Sequence, residues 1–161
     1  MVKIAFIHPE LVIGGAERLV VDAALGLKRK GHQVDIFTSY HDKNHCFTET
    51  ADGTLNVIVK GDKIPRDFKK KGHVLFALVK SWYLAICVVL RFWLFNEKYD
   101  LFFVDQVSAC IPILKLAGIN VLFYCHFPDQ LLTKRNSLLK SIYRKPFDFI
   151  EEFTTSIMTL I

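Results

Sequence analysis

The sequence has little of what would settle its class at once, and each shortage excludes something. Its 4 cysteines, Cys46, Cys87, Cys110 and Cys125, form no C-x-x-C pair, which excludes a disulfide framework and the usual paired zinc or redox motifs. Three of them lie in apolar runs, where a free thiol behaves as a small hydrophobe, so a reducing compartment is expected. His41, His45 and Cys46 lie close together, but no second ligand pair follows at a spacing that metal sites use. The first apolar run, Ile4 to Ile7, is too short for the core of a secretory signal, and a chain that starts in the cytosol is expected. An uncharged stretch of about 20 residues, which a bilayer crossing asks for, is missing as well. Within the longest apolar segment, Val74 to Phe95, Lys80 and Arg91 leave only Ser81 to Leu90 free of charge. There is no internal repeat and no low-complexity segment.

What remains is the composition of one globular unit. A chain of 161 residues with 52% apolar content can bury a real core in one domain. Mean hydropathy is high at +0.28, and much of the excess sits in Val74 to Phe95. The net charge is +5, with basic residues bunched at Lys28-Arg29-Lys30, Lys69-Lys70-Lys71 and Lys134-Arg135. Such clusters attract anions of any kind. Nucleic acid is disfavoured as a partner, because the aromatics sit in apolar runs and do not alternate with the basic clusters.

Strand-like and helix-like segments alternate along the chain. Val2 to His8, Gln33 to Thr38, Leu55 to Lys60, Asp100 to Val104 and Asn120 to Tyr124 read as five strands. Glu17 to Lys30 reads as a helix, with Leu19, Val20, Ala23, Ala24 and Leu27 on one stripe. A long apolar helix follows Lys69, and Val107 to Ala117 is helical in character despite Pro112. Leu131 to Tyr143 and Phe147 to Leu160 read as two helices with Pro146 between them. Short strands that are apolar throughout, alternating with helices, predict an α/β fold with a doubly wound, Rossmann-like parallel sheet covered on both faces.

In such a sheet ligands sit beyond the carboxyl ends of the strands, and those positions are polar here. They are His8, Thr38-Ser39-Tyr40-His41, Asp105-Gln106 and Cys125-His126-Phe127-Pro128-Asp129. The turn Ile13-Gly14-Gly15-Ala16-Glu17-Arg18 runs from the first strand into the first helix and offers unpaired backbone N–H groups to an anion such as phosphate. Glycine at both positions would let an anion approach the backbone and would tolerate left-handed torsions. A tight structural turn is the alternative for Gly14-Gly15, and helix-dipole stabilisation is the alternative for Glu17. A lone histidine such as His8 at a strand end is often only a hydrogen-bonded structural residue. A nicotinamide or flavin dinucleotide fits badly, since two adjacent glycines replace G-x-G-x-x-G and the second strand ends in Thr38-Ser39 where an acid is wanted.

The glycine turn, the stretch Asp105-Gln106-Val107-Ser108-Ala109-Cys110-Ile111-Pro112, and Phe123-Tyr124-Cys125-His126-Phe127-Pro128-Asp129 followed by Leu132-Thr133-Lys134-Arg135 resemble retaining glycosyltransferases of the two-Rossmann-domain type (GT-B, glycosyltransferase family 4). The resemblance implies a mannosyltransferase using no metal or other cofactor, passing mannose from GDP-mannose to a dolichyl-diphosphate-linked mannosyl-chitobiose acceptor during N-glycan precursor assembly. It would work at the cytosolic face of the endoplasmic reticulum membrane. It further implies that Gly14 and Gly15 approach the donor diphosphate, that His126 is the catalytic residue near the transferred sugar, and that Glu17, Asp105, Gln106 and Asp129 contact substrate. In that family a second Rossmann domain holds the nucleotide. Residues 1–161 are therefore expected to be an incomplete, acceptor-side domain, a fragment inactive by itself. The other reading of the same fold is a non-catalytic, membrane-bound acceptor subunit that recruits a separate donor-binding domain.

The segment 74–95 is expected to lie in the membrane interface as a helix, with Lys80 and Arg91 on one face towards phosphate headgroups and Leu78, Trp82, Leu90 and Trp93 touching lipid. Lys69-Lys70-Lys71 would add attraction to anionic lipid. The alternative is a helix packed on the sheet with its cations snorkelling to water.

Overall fold

The computed structural model describes residues 1–65, 73–126 and 138–156. The strands β1 (Lys3–His8), β2 (Gln33–Thr38), β3 (Asn56–Val59), β4 (Leu101–Asp105) and β5 (Asn120–Tyr124) alternate with helices α1 (Gly15–Arg29), α2 (Thr48–Ala51), α3 (His73–Leu94) and α4 (Ile111–Lys115), and helix α5 (Leu138–Ser156) closes the described chain. All five strands pair in parallel in the order β3-β2-β1-β4-β5. This is the doubly wound sheet that the apolar strand pattern predicts.

The pattern has a direct cause. Successive side chains of a strand point to opposite faces, and here both faces are covered. Ile4 and Phe6 of β1 join Val34 and Ile36 of β2 against Val20, Val21 and Ala24 of α1. Ala5 and Ile7 face the other way and join Phe37, Phe102 and Val104 against Leu84, Ala85, Val88 and Val89 of α3 and Ile111 and Leu114 of α4. The central strands are therefore covered on both sides over most of their length, and only the start of β2, with Gln33 exposed and Asp35 half-buried, alternates polar with apolar residues.

Three local expectations change. The helix expected over 107–117 is a 3-10 turn, Ser108–Cys110, followed by α4, with Pro112 in the first turn, where a missing N–H costs nothing. The two helices expected around Pro146 are one: α5 runs from Leu138 to Ser156 with Pro146 inside it. Proline forfeits one backbone bond there, to the carbonyl of Ile142. Both Ile142 and Pro146 are exposed, so water can meet that carbonyl. The short helix α2 was not foreseen.

Helix α3 is, by length and composition, apolar enough over Val74–Leu94 to cross a membrane, which the charge-free run alone did not suggest. Its inner face, however, is the lid of the sheet core. Its two cations also depart from the expected lipid-facing arrangement. The Lys80 side chain is only 6% exposed, with Nζ 3.4 Å from Glu10 Oε1. The Arg91 guanidinium pairs with the Glu97 carboxylate, Nε lying 2.9 Å from Oε2. Buried apolar neighbours raise the cost of leaving a charge unpaired, so each cation takes a local carboxylate. Leu78 is buried as well. What α3 shows outward is an uncharged stripe of Leu75, Val79, Trp82, Tyr83, Ile86, Leu90 and Trp93, each 39% exposed or more. At 100° per residue these positions fall within an arc of about 100°.

The basic cluster Lys28-Arg29-Lys30 takes the bland role of capping the end of α1. Lys28 and Arg29 occupy the last turn, where cations complement the helix dipole. Lys28 also bonds the carbonyl of Thr54. The clusters at Lys69–Lys71 and Lys134-Arg135 lie outside the described residues.

Candidate functional site

The carboxyl ends of β1, β4 and β5 and the first turn of α1 deliver four ionisable side chains to one place. His8, the last residue of β1, is fully buried. Its Nδ1 lies 2.8 Å from Asp105 Oδ2, at the end of β4, and its Nε2 lies 3.6 Å from Glu17 Oε1. Asp105 is itself 1% exposed, and its other oxygen, Oδ1, is 2.9 Å from Nε2 of His126, two residues beyond β5. The result is a row in which carboxylates and imidazoles alternate, Glu17, His8, Asp105, His126. Its middle pair is buried, and its two ends are more open, with the Glu17 side chain 14% and the His126 side chain 26% exposed.

Burial alone would push the His8 pKa down, but the hydrogen bond to Asp105 and the carboxylate of Glu17 outweigh it and the net displacement is upward. Glu17 moves the opposite way. Its interaction with His8 holds the carboxyl below its usual range, against the upward pull of partial burial.

The glycine turn has a different geometry from the one expected. Gly14 is extended, with φ −168° and ψ 173°, a conformation open to any residue, and Gly15 is not left-handed either. The demand on Gly14 is steric: a Cβ there would stand 2.2 Å from Glu17 Oε2. The third helical residue thus folds its carboxylate back over the helix start. A Cβ on Gly15 would meet nothing within 4 Å. Neither glycine lines the adjoining cavity, whereas Glu17 does. The expected anion seat at the helix start is therefore roofed by Glu17.

That cavity holds about 430 Å³ and joins the row of charges to α3. Asp105, Gln106 and His126 form one wall, and Ala77, Lys80, Ser81 and Leu84 of α3 form another. Gln106 is the residue that aims this corner. It adopts φ 65°, a left-handed conformation uncommon outside glycine, while its N–H donates to the Tyr124 carbonyl at 3.2 Å and the next N–H donates to the Asp105 carbonyl at 2.8 Å. The chain reverses there, so Asp105 points inward and Gln106 is exposed at the rim. The Tyr124 ring meets the His126 ring edge-on at 4.9 Å between centroids.

Of the residues proposed from sequence, the structure gathers Glu17, Asp105, Gln106 and His126, places Gly14 and Gly15 beside them, and leaves Asp129 outside the described residues. Sequence reasoning undervalued His8, which is the centre of the row, and misassigned Lys80. The signal for Lys80 was present. Positions 77, 80, 81 and 84 share one helical stripe, and a polar pair within an apolar helix marks a face turned to something other than lipid or core. Among the described residues no group of three or more His, Cys, Asp and Glu side chains is arranged to hold a metal ion. His41 is bonded instead to Thr50, at 3.1 Å.

Comparison with known proteins agrees with this architecture. Residues 13–157 match the model of Glycosyltransferase Family 4. The chain is 54% identical over 160 residues to the α-1,3/1,6-mannosyltransferase ALG2 of Rhizomucor pusillus, covering 99% of this chain and 34% of that protein. It is 53% identical over 154 residues to the ALG2 of Saccharomyces cerevisiae, covering 95% and 30%. The chain thus spans about a third of the length of the curated relatives it matches. Among solved structures, the glycotransferase of kitacinnamycin superposes with a TM-score of 0.56 at 13% identity, over 93% of this chain and 38% of that one, a likeness of fold. With the glycine turn, the doubly wound sheet and the match over 13–157 in hand, the chain belongs to glycosyltransferase family 4.

Proposed function

We propose that this chain forms the acceptor-side domain of a retaining mannosyltransferase that moves mannose from GDP-mannose to a dolichyl-diphosphate-linked mannosyl-chitobiose in N-glycan precursor assembly. The observation that carries the reading is His126. It stands at the wall of the 430 Å³ cavity, seated against Asp105 and still partly open, where a group that must touch a sugar belongs. Departure of a nucleoside diphosphate leaves positive charge on the sugar ring, and a histidine backed by a buried carboxylate can hold a sugar hydroxyl as that charge develops. Lys80 and Ser81 offer polar contacts to the acceptor from the opposite wall. Gly14 and Gly15 lie at the helix start beside the row of carboxylates and imidazoles, the place proposed for approach of the donor diphosphate.

The outer stripe of α3 supports a site of action at a membrane surface, and the cytosolic face of the endoplasmic reticulum is the proposed location. The lipid-linked acceptor has an apolar tail and a polar head. The same helix presents an uncharged apolar stripe outward and polar residues to the cavity one step round its circumference. Trp82, Tyr83 and Trp93 on that stripe are suited to the headgroup boundary.

A chimera tests the catalytic reading: this chain replaces the matching third of the Rhizomucor pusillus relative, and mannose transfer to a short-chain lipid diphosphate acceptor is followed with and without His126→Ala. We expect transfer by the parent chimera and a loss of about a hundredfold or more in kcat for the variant, with an unchanged melting temperature. Near-normal turnover in the variant removes His126 from the reaction centre.

A further inference from the structure

Every ionisable group around the cavity has an evident role except the most deeply buried one, His8. It reaches neither the cavity nor solvent. A neutral imidazole carries one N–H, so between two ionised carboxylates one ring nitrogen would turn a lone pair towards negative charge. Both nitrogens of His8 face carboxylates, Asp105 at 2.8 Å and Glu17 at 3.6 Å. The two outer contacts of the row lack hydrogen-bond geometry. His8 Nε2 and Asp105 Oδ1 are buried without a directed hydrogen bond, although carboxylate and imidazole partners stand 3.6 Å and 2.9 Å away. Such an arrangement holds only if charge holds it.

We propose that His8 is a positioning residue, an imidazolium locked between Glu17 and Asp105 that fixes the Asp105 carboxylate and, through it, the ring of His126. The inference rests on the reading of His126 as the group at the reaction centre and adds how that group is set. Asp105 spends one oxygen on His8 and presents the other to His126. The upward displacement of the His8 pKa is in keeping with the geometry. The groups facing His8 are Glu17 from α1 and Asp105 from β4. Its partner across the sheet on β2, Thr38, is uncharged. Glu10 and Lys80, which share the cavity, compensate each other at 3.4 Å, and the other group against this pair of acids among the described residues is His126, 2.9 Å from Asp105 Oδ1.

The test follows histidine rings by long-range proton–nitrogen NMR in the 161-residue chain, from about pH 5 to about pH 9. His8 should remain doubly protonated above the ordinary imidazole range, and the His126 resonances should report an inflection at the pH where His8 loses its proton. In His8→Gln, Asp105 loses its buried cation, and the His126 ring resonances should move from their positions in the unsubstituted chain at the same pH. A purely structural His8 would be neutral at pH 7 or would leave His126 unmoved. Either result overturns the proposal, and the inflection in the unsubstituted chain decides the matter even if His8→Gln fails to fold. Failure of the catalytic reading is a separate outcome, since coupling between the rings is measured without transfer and loss of transfer in His126→Ala is measured without coupling.

Discussion

Replacing four residues of the α3 stripe, Tyr83, Ile86, Leu90 and Trp93, with serine removes most of what that face can offer a bilayer while leaving the sheet core intact. The choice follows the packing. Leu78 is excluded because it is buried, and Trp82 because its indole N–H donates to the Ala109 carbonyl at 3.0 Å. The four chosen side chains are 44%, 46%, 44% and 58% exposed. Complete burial of a large apolar side chain is worth about 1.5–3 kcal/mol. Roughly half of each remains to be covered, so insertion into the interface gains about 1 kcal/mol per residue and about 4 kcal/mol for the set. That is about a thousandfold in partitioning. Flotation with neutral phosphatidylcholine vesicles reads the apolar contribution, and a second set containing anionic lipid reads the basic segments separately. Exposed substitutions of this kind should each change folding stability by no more than about 0.5 kcal/mol, which a denaturation curve checks. If the serine variant keeps more than about a tenth of the original partitioning into neutral vesicles, the stripe is not a lipid-facing surface.

Two further predictions concern the turn and the row of charges. Gly15→Ala, with nothing within 4 Å of the new Cβ, should stabilise the fold by up to about 0.5–1 kcal/mol through helix propensity. Gly14→Ala should instead push the Glu17 carboxylate aside and lower the titration of His8. Denaturation and ring NMR separate the two effects. Stability should also depend on pH from both sides. His8 is raised from an ordinary value near 6.5, so its contribution is complete below that value and is lost as pH rises through the folded pKa. Glu17 is lowered from about 4.5, so its contribution is present above that value and is lost as pH falls through its folded pKa. Chemical denaturation across pH should show a plateau between these limits, with the alkaline fall absent in His8→Gln.

The sheet was readable because its residues leave few alternatives. Gln33 to Thr38 matches β2 residue for residue, and the apolar runs of β1 and β4 call for cover on both faces. The corner at Asp105-Gln106 was also readable, since polar residues directly after a buried strand mark the carboxyl edge. The missed features depend on contacts between distant segments. His8 and Asp105 are 97 positions apart, and nothing local says that two carboxylates converge on one imidazole. For Lys80, the apolar flanks suggested lipid. Which arc of α3 turns inward is fixed by the sheet residues it covers, Phe37 and Phe102 among them. Pro146 misled because proline reads as a break, whereas an exposed position can do without the bond it forfeits.

Both tryptophans of the protein, Trp82 and Trp93, sit on the outward arc of α3. The tryptophan fluorescence of the molecule therefore originates from that one surface, and none of it from the sheet interior. Trp82 is also tethered to Ala109, in the short turn that follows the bend at Gln106. Ultraviolet emission is thus a built-in optical probe placed between the helix's outer surface and the floor of the binding crevice. It will register a blue shift when that surface is covered, and it will remain comparatively silent to events confined to the far side of the sheet, where α1 packs.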